Sequence, residues 1–502
     1  MLITILVYLA AMVGIGAVLA KQNQTTDDFY LGGRTLGPLV TAMSAEASDM
    51  SSWLLMGLPG VAYLSGTADA AWTAIGLAIG TYVNWLVVAK RLRNYTHVCG
   101  NSTTLPLFFS NRYRDNKRIL SVIAALLIII FFVPYTASGF AACGKLFANL
   151  FGMDYLPAML ISAIVIVAYT TLGGFLAAST TDFVQSIVMT IAIVVVFGFG
   201  ISKVGSFSAV MDNAKSMAGY FSLTHTHDVA TGTASPYSLL QIFSTLAWGL
   251  GYFGMPHVLL RFMAIGDANK LKLSRRVATV WVVISMAVSV FIGVIGNAMT
   301  KADVLPTLKD PETIILVVAD LISKHGVLAT IIAGLILAGI LAATMSTADS
   351  QLLAASSSAS QNILKEVFMK DMSEKTGMLI ARITVLVIAL IGVFIARNPD
   401  SSVFQIVSFA WAGFGASFGP LVLLALFWKR STFQGALCGM VSGGVMVFVW
   451  KFLIRPMGGA LGIYELLPAF LLGLAVNVIV SLLTPAPSRE VQDEFDKVAS
   501  MK

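Results

Sequence analysis

Ser44-Ala45-Glu46-Ala47-Ser48-Asp49-Met50-Ser51-Ser52-Trp53-Leu54-Leu55-Met56-Gly57-Leu58-Pro59-Gly60 puts two acids and a run of small hydroxyl residues in the middle of an otherwise apolar segment. Hydrocarbon offers a backbone amide no partner, so irregular backbone at membrane depth survives only where protein buries it or where it lines a cavity. An aspartate at the centre of a span costs about 2.5 to 3.5 kcal/mol on insertion scales and faces a partner or a ligand path. Ser44 to Ser52 therefore reads as the break in a discontinuous helix, and the break as a binding site.

The rest of the chain puts this break in a membrane. The 502 residues are 57% hydrophobic and 11% charged, where a soluble domain carries about a quarter charged residues. Windows of about 20 apolar residues, enough to cross roughly 30 Å of hydrocarbon, recur along nearly the whole length. The expected fold class is an all-α polytopic membrane protein of about thirteen transmembrane helices. Residues 2–20 lack a basic leading segment and a clean small-residue cleavage pattern, and they read as the first span, not a signal peptide.

The net charge of +7 matters less than its placement. With an outside N-terminus, Lys90, Arg91, Arg93, Arg112, Arg114, Lys117, Arg118, Arg261, Lys270, Lys272, Arg275, Arg276, Lys370, Lys429, Arg430 and Lys502 fall in cytoplasmic segments, as the positive-inside rule expects. Nucleic-acid binding is not supported. Residues 205–235 read as a polar outside loop, in which His225 and His227 lack the further ligands a metal site needs. The three cysteines, Cys99, Cys143 and Cys438, give no disulfide or metal framework. The charged tail beyond Pro485 is expected to be loosely ordered and cytoplasmic.

A second anomaly lies in the seventh span. Trp248-Gly249-Leu250-Gly251-Tyr252-Phe253-Gly254-Met255-Pro256-His257 packs three glycines and a proline too closely for a regular helix. The second and seventh spans are thus both broken, as an inverted pair of five-helix repeats would produce, each repeat giving one broken helix to a midplane site. The expected organisation is an extra span over 1–21, a first repeat over 37–204, a second over 236–427, two further spans over 433–484 and the tail over 485–502.

At these motifs the sequence resembles the sodium:solute symporter family, and within it the bacterial sodium/proline symporters. Ala47-Ser48-Asp49-Met50-Ser51 with Trp53 to Gly60, Trp248 to Gly254 with Pro256-His257, and Met345-Ser346-Thr347 carry the likeness, in order. Tyr169-Thr170 to Gly173-Gly174-Phe175 and Arg430 to Gly435-Ala436 look like the family's own signatures. The resemblance implies an inverted-repeat transporter core and a sodium site on the carbonyls of Ala47, Met50 and Ala343 and the hydroxyls of Ser346 and Thr347. It associates Asp49 with sodium coupling and puts Asp182 on the cytoplasmic sodium exit path.

The residues themselves are compatible with this. Sodium wants oxygen ligands, which a broken helix offers as freed carbonyls, although Ser346 and Thr347 could equally bond back to their own helix. Asp49 could cap the break, and Asp182 could be a residue favoured at a helix start. For the substrate, amides and hydroxyls at Ser51 and Ser52 would meet a carboxylate. Trp53, Tyr135, Trp248, Tyr252 and Pro256 would enclose a compact ring bearing a secondary ammonium, against the alternative that each aromatic is packing or interfacial belt. Glu46 and Asp349 have no assigned role: they could alter ion choice or merely pair with basic residues near the cytoplasmic face such as Arg34, itself most simply a positive-inside anchor.

The expected function is a secondary active transporter, not an enzyme, coupling sodium influx to L-proline uptake by alternating access in a bacterial cytoplasmic membrane. Its partners are L-proline, sodium and the lipid bilayer, with no nucleic acid and no obligate protein partner implied. The alternatives are sodium- or proton-coupled symport of another small carboxylate such as pantothenate, and a transporter-like sensor.

Overall fold

The computed structural model describes residues 1–22, 24–369, 372–398 and 403–501. Lys370 and Lys502, assigned above to the cytoplasmic side, lie outside them. The chain is helical almost throughout, and ten described helices are long and apolar enough to cross a membrane.

The first half runs α1 (Leu2–Leu19), α2 (Thr26–Leu31), α3 (Pro38–Ser52), α4 (Leu58–Ser65), α5 (Thr67–Val83), α6 (Ala89–Val98), α7 (Leu105–Arg112), α8 (Ile119–Phe151), α9 (Tyr155–Val204) and α10 (Phe207–Ser216). A small antiparallel hairpin follows, β1 (His225–Asp228) and β2 (Thr233–Pro236), with His225 opposite Pro236. The second half runs α11 (Leu239–Leu246), α12 (Pro256–Ala264), α13 (Leu271–Lys301), α14 (Ile314–Ser323), α15 (Val327–Ser357), α16 (Glu374–Ala396), α17 (Val403–Phe427), α18 (Phe433–Val449), α19 (Leu466–Leu483) and α20 (Arg489–Ser500).

Both expected breaks are present, each narrower than its sequence window. In α3 the helix continues through Glu46 and Asp49, and only Ser51 leaves it, at φ 50° and ψ −172°. The break is thus one residue, not the whole of Ser44 to Ser52, because acids and small hydroxyl residues disfavour a helix without forbidding it. Beyond Ser51 the chain winds loosely through Trp53–Gly57, and Pro59 starts α4 without needing an amide donor. In the seventh span a tight 3₁₀ turn over Ala247–Phe253 separates α11 from α12. Its glycines serve close approach: a Cβ on Gly251 would sit 2.0 Å from Trp411 Nε1, and one on Gly254 would sit 2.2 Å from the Phe414 carbonyl.

A third interruption sits in α9. Its 50 residues would extend roughly 75 Å as one helix, more than twice a hydrocarbon core. Gly174, at φ 59° and ψ −159°, divides it in the conformation that Ser51 adopts. The two halves of α9, each long enough to cross the membrane, therefore meet at one glycine.

Other expectations are corrected. Residues 205–235 hold α10 and the hairpin, α10 being capped by the Ser206 hydroxyl on the Ala209 amide. The tail is ordered: α20 buries Val491, Phe495 and Val498, spaced to share one helix face, while Arg114 holds Glu490 at 3.1 Å and Glu494 at 2.8 Å. Arg261 and Arg112 are buried in the protein, not in solvated cytoplasmic loops. The centre of the molecule is α15, which packs on α1, α3, α8, α9 and α16 and is buried continuously from Ile336 to Ser357.

Candidate functional site

Where α15 crosses the last turn of α3, an oxygen cluster forms. Ser346 Oγ donates to the Ala47 carbonyl at 2.8 Å and lies 3.2 Å from the Ala343 carbonyl, while Thr347 Oγ1 donates to that same carbonyl at 3.1 Å. Four of the five oxygens expected around a cation thus converge from two helices. The fifth, the Met50 carbonyl, accepts the Trp53 amide across the break. The back-bonding alternative holds for Thr347 and in part for Ser346, whose shorter bond crosses to α3. Hydroxyls and carbonyls at this density suit a hard cation.

The other face of the same turn carries Asp49. Tyr252 donates its hydroxyl to Asp49 Oδ2 at 2.5 Å, joining the two broken spans directly. Tyr135 points its hydroxyl at the Asp49 carbonyl, 3.4 Å away, and Ser51 Oγ accepts the Trp53 amide at 3.0 Å. Carbonyls freed by the loosened helix find outside donors, the Ser289 hydroxyl taking that of Leu54. Asp49 Oδ1 is buried with no hydrogen-bond partner among the described residues.

Beside Asp49 lies a cavity of ≈ 10 Å³ lined by Met50, Trp53, Tyr135, Trp248 and Trp411 among others, about the room one water needs. Trp53 stacks on Trp248 with centroids 5.7 Å apart, and Phe404 stacks on Trp53 and lies tilted against Trp248. Of the residues expected at the substrate, Trp53, Tyr135 and Trp248 line this cavity and Tyr252 reaches it through Asp49. Ser51 shapes the break, whereas Ser52 and Pro256 are buried and do not line the cavity. Phe404, Val407 and Trp411 escaped the sequence reading. Their spacing of three and four residues puts them on one helical face, but in a mostly apolar span such a stripe does not stand out.

Asp182 belongs to a buried polar network one step further along α15. Arg261 Nη2 meets Asp182 Oδ2 at 3.0 Å with both side chains essentially excluded from solvent. Ser44 Oγ donates to the same carboxylate oxygen at 2.6 Å, and Arg261 also reaches Ser44, Ser350 and the His257 carbonyl. Ser350 donates to Asp349 Oδ1 at 3.0 Å, and Tyr169 donates to Asp349 Oδ2 at 2.7 Å. Asp182 is therefore no solvated helix-end residue, and Asp349 does not pair with Arg34. Glu46 takes the Trp85 indole N–H at 2.8 Å, away from the oxygen cluster. Arg34 spends its guanidinium on the carbonyls of Met263, at 2.6 Å, and Ser102, at 2.7 Å. Its removal from water lowers its pKa to about 10, the neighbouring Arg93 adding to the effect.

Fold and site together define a polytopic helical membrane protein whose two interrupted spans meet over an oxygen cluster and an aromatic cavity. The family model for the sodium:solute symporter family matches residues 29–443, and the chain belongs to that family. It is 41% identical to the sodium/proline symporter of Salmonella typhimurium, over 99% of this chain and 96% of that one. It is 41% identical to the sodium/proline symporter of Escherichia coli, over 99% and 95%, and 39% identical to the osmoregulated proline transporter OpuE of Bacillus subtilis, over 97% and 96%. Among solved structures it resembles a substrate-bound, outward-open Na+-coupled sialic acid symporter, with a TM-score of 0.79, 19% identity, and coverage of 97% of this chain and 98% of that one. The nucleobase-cation-symport-1 transporter Mhp1 in a closed conformation follows at a TM-score of 0.55, 14% identity, and coverage of 94% and 98%.

Proposed function

We propose that the protein couples inward sodium movement to uptake of L-proline by alternating access. The observation that carries this reading is the bridge from Ser346 to the Ala47 carbonyl within the Ala343–Thr347 oxygen cluster, in a chain whose near-full-length relatives are named sodium/proline symporters. Sodium takes the carbonyls of Ala47, Met50 and Ala343 and the hydroxyls of Ser346 and Thr347. Binding there replaces the direct α3 to α15 hydrogen bond with a tighter ionic link and fixes the last turn of α3.

That turn also orients the substrate groups, since Ala47 and Asp49 lie within it and Trp53 hangs from the break at Ser51. The ammonium of proline meets Asp49 and the aromatic faces, its ring packs between Trp53, Tyr135 and Trp248, and its carboxylate meets the amides at the break. Admission requires Trp53 and Trp248 to separate, because the present cavity of ≈ 10 Å³ is far smaller than any amino acid. Fixing one turn for both ligands makes each raise the other's affinity by the same factor. Asp182 serves the exit path, where a departing cation competes with Arg261 for its carboxylate.

In this reading the chain crosses a bacterial cytoplasmic membrane thirteen times with its N-terminus outside and its C-terminus cytoplasmic. The inverted repeats occupy 37–204 and 236–427, after one added span and before two, and α20 lies on the cytoplasmic face. Counting α9 as two spans and each broken span once supports this organisation. The test is uptake of labelled L-proline into proteoliposomes under an inward sodium gradient, with potassium and choline gradients as controls and pantothenate as competitor. Sodium-specific acceleration that pantothenate does not suppress is expected. Equal rates in all gradients would overturn the reading.

A further inference from the structure

Glu46 is an acid that the proposed transport cycle leaves unused. Its Oε1 accepts the Trp85 indole N–H at 2.8 Å, while Oε2 is buried with no hydrogen-bond partner among the described residues. No cation pairs with it among those residues: Arg261 is committed to Asp182, and Arg34 to the carbonyls of Met263 and Ser102. A buried carboxylate with an idle oxygen and no counter-charge is costly, and inside a membrane it marks an ion site or path.

Further idle oxygens surround it. Glu46 stands three residues before Asp49 on α3, a spacing that shares one helix face. Thr81, in the last turn of α5, and Asn84, which opens the loose turn Asn84–Val88 carrying Trp85, repeat that spacing on the neighbouring element. Tyr252 gathers the four. Its hydroxyl donates to Asp49 Oδ2 and lies beside the Thr81 hydroxyl and within electrostatic reach of Glu46. Its carbonyl accepts Asn84 Nδ2 at 3.1 Å. A carbonyl only accepts, so this bond fixes the amide and turns Asn84 Oδ1 away from Tyr252. Asn84 Oδ1, Thr81 Oγ1 and Asp49 Oδ1 are, like Glu46 Oε2, without a hydrogen-bond partner among the described residues, and none of the four residues is more than 6% exposed.

Ionised carboxylates and an amide oxygen cannot satisfy one another, since none of them donates. A water supplies donors but not the missing charge, whereas a hard cation supplies both needs at once. We propose that Glu46 Oε2, Thr81 Oγ1 and Asn84 Oδ1 hold a second sodium ion, away from the Ala343–Thr347 cluster, so that two sodium ions enter with each substrate molecule. Asp49 stays free to meet the substrate ammonium. The ion ties α3 to the end of α5 and, through Tyr252, to the second broken span, which sets the geometry that Asp49 presents. For the identity of the cation the proposal rests on the reading of the chain as a sodium-coupled transporter.

The test counts radiolabelled sodium and L-proline together during uptake into proteoliposomes. It also titrates sodium against the intrinsic fluorescence of the purified full-length protein, where Trp85 reports on Glu46. Two sodium ions per proline are expected for the wild type and one for Glu46→Gln, whose uptake still requires the sodium held at Ser346. The part of the fluorescence response that Trp85→Phe removes is lost in Glu46→Gln. It shifts to about tenfold higher sodium in Thr81→Val and Asn84→Leu, which keep Glu46 and Trp85 and carry the test where Glu46→Gln does not fold. The same sodium-to-proline ratio in wild type and Glu46→Gln overturns the proposal, as does a Trp85 response unmoved in Thr81→Val and Asn84→Leu. A co-transported proton lost in Glu46→Gln with the sodium count intact overturns it too, because Glu46 then carries the proton. Wild-type uptake indifferent to sodium would sink the transport reading, yet a Trp85 response to sodium lost in Glu46→Gln would still support the site.

Discussion

The costs of breaking the Asp182–Arg261 pair from each side are expected to sum to more than the cost of breaking it from both at once. The partners lie 3.0 Å apart with side-chain exposures of 0% and 1%, and removing one member of such a pair costs about 3 to 5 kcal/mol because the other is left buried and uncompensated. In Asp182→Asn the arginine keeps Ser44, Ser350 and the His257 carbonyl, with Asp349 one hydroxyl away through Ser350. Its cost is therefore about 3 kcal/mol, the lower end. Arg261→Gln leaves both Asp182 and Asp349 without a counter-charge and costs about 5 kcal/mol. The double variant relieves one carboxylate, so its cost falls short of the sum by about 2 to 3 kcal/mol. Denaturant unfolding in mixed micelles, followed by intrinsic fluorescence, measures all three. Costs that add to within about 0.5 kcal/mol, the margin for independent sites, would refute the coupling.

Ser346→Ala removes the hydroxyl that spans α3 and α15 and is expected to raise the sodium concentration for half-maximal proline uptake about tenfold, equivalent to about 1.4 kcal/mol; an unchanged value removes Ser346 from the sodium site. Tyr252→Phe deletes the 2.5 Å bond to Asp49, a hydrogen bond to a charged group worth about 1.5 to 3 kcal/mol. Sodium-dependent proline binding should weaken about ten- to a hundredfold, and wild-type affinity in the folded variant would exclude the contact from the binding geometry. Gly174→Ala puts a side chain in a backbone region that is essentially glycine-only and should destabilise the protein by about 1 to 3 kcal/mol. Ser51→Gly relieves the same strain at φ 50° and should leave stability unchanged or improve it, as the same unfolding assay reports.

The membrane class and the two broken spans were legible because each rests on a local rule. Composition sets the solvent, and a glycine-rich run ending in Pro256 cannot stay a regular helix. The exact break was not legible. Ser44 to Ser52 is uniformly small and polar, and which of its residues leaves the helix is decided by packing, here the positive-φ Ser51 with its hydroxyl holding the Trp53 amide. The carbonyls proposed to hold sodium were reachable only through a likeness in motif order, since a carbonyl ligand leaves no side-chain signature.

Arg261 shows why position along a chain is a weak guide to the charges of a transporter. It follows an apolar run and precedes the basic segment from Lys270 to Arg276, so a rule that counts charges near span ends assigns it to the cytoplasm. The short α12 instead turns it inward, where Asp182 from α9 and Ser350 from α15 meet it. All three elements surround the turn of α3 that carries the proposed sodium ligands, and Ser44 of that helix bonds both Arg261 and Asp182. Any motion that releases a cation from Ala47 and Ser346 by shifting α3 against α15 must also stretch this network. In the proposed cycle the pair thus opposes that motion, and its strength sets part of the barrier that sodium and proline together have to shift.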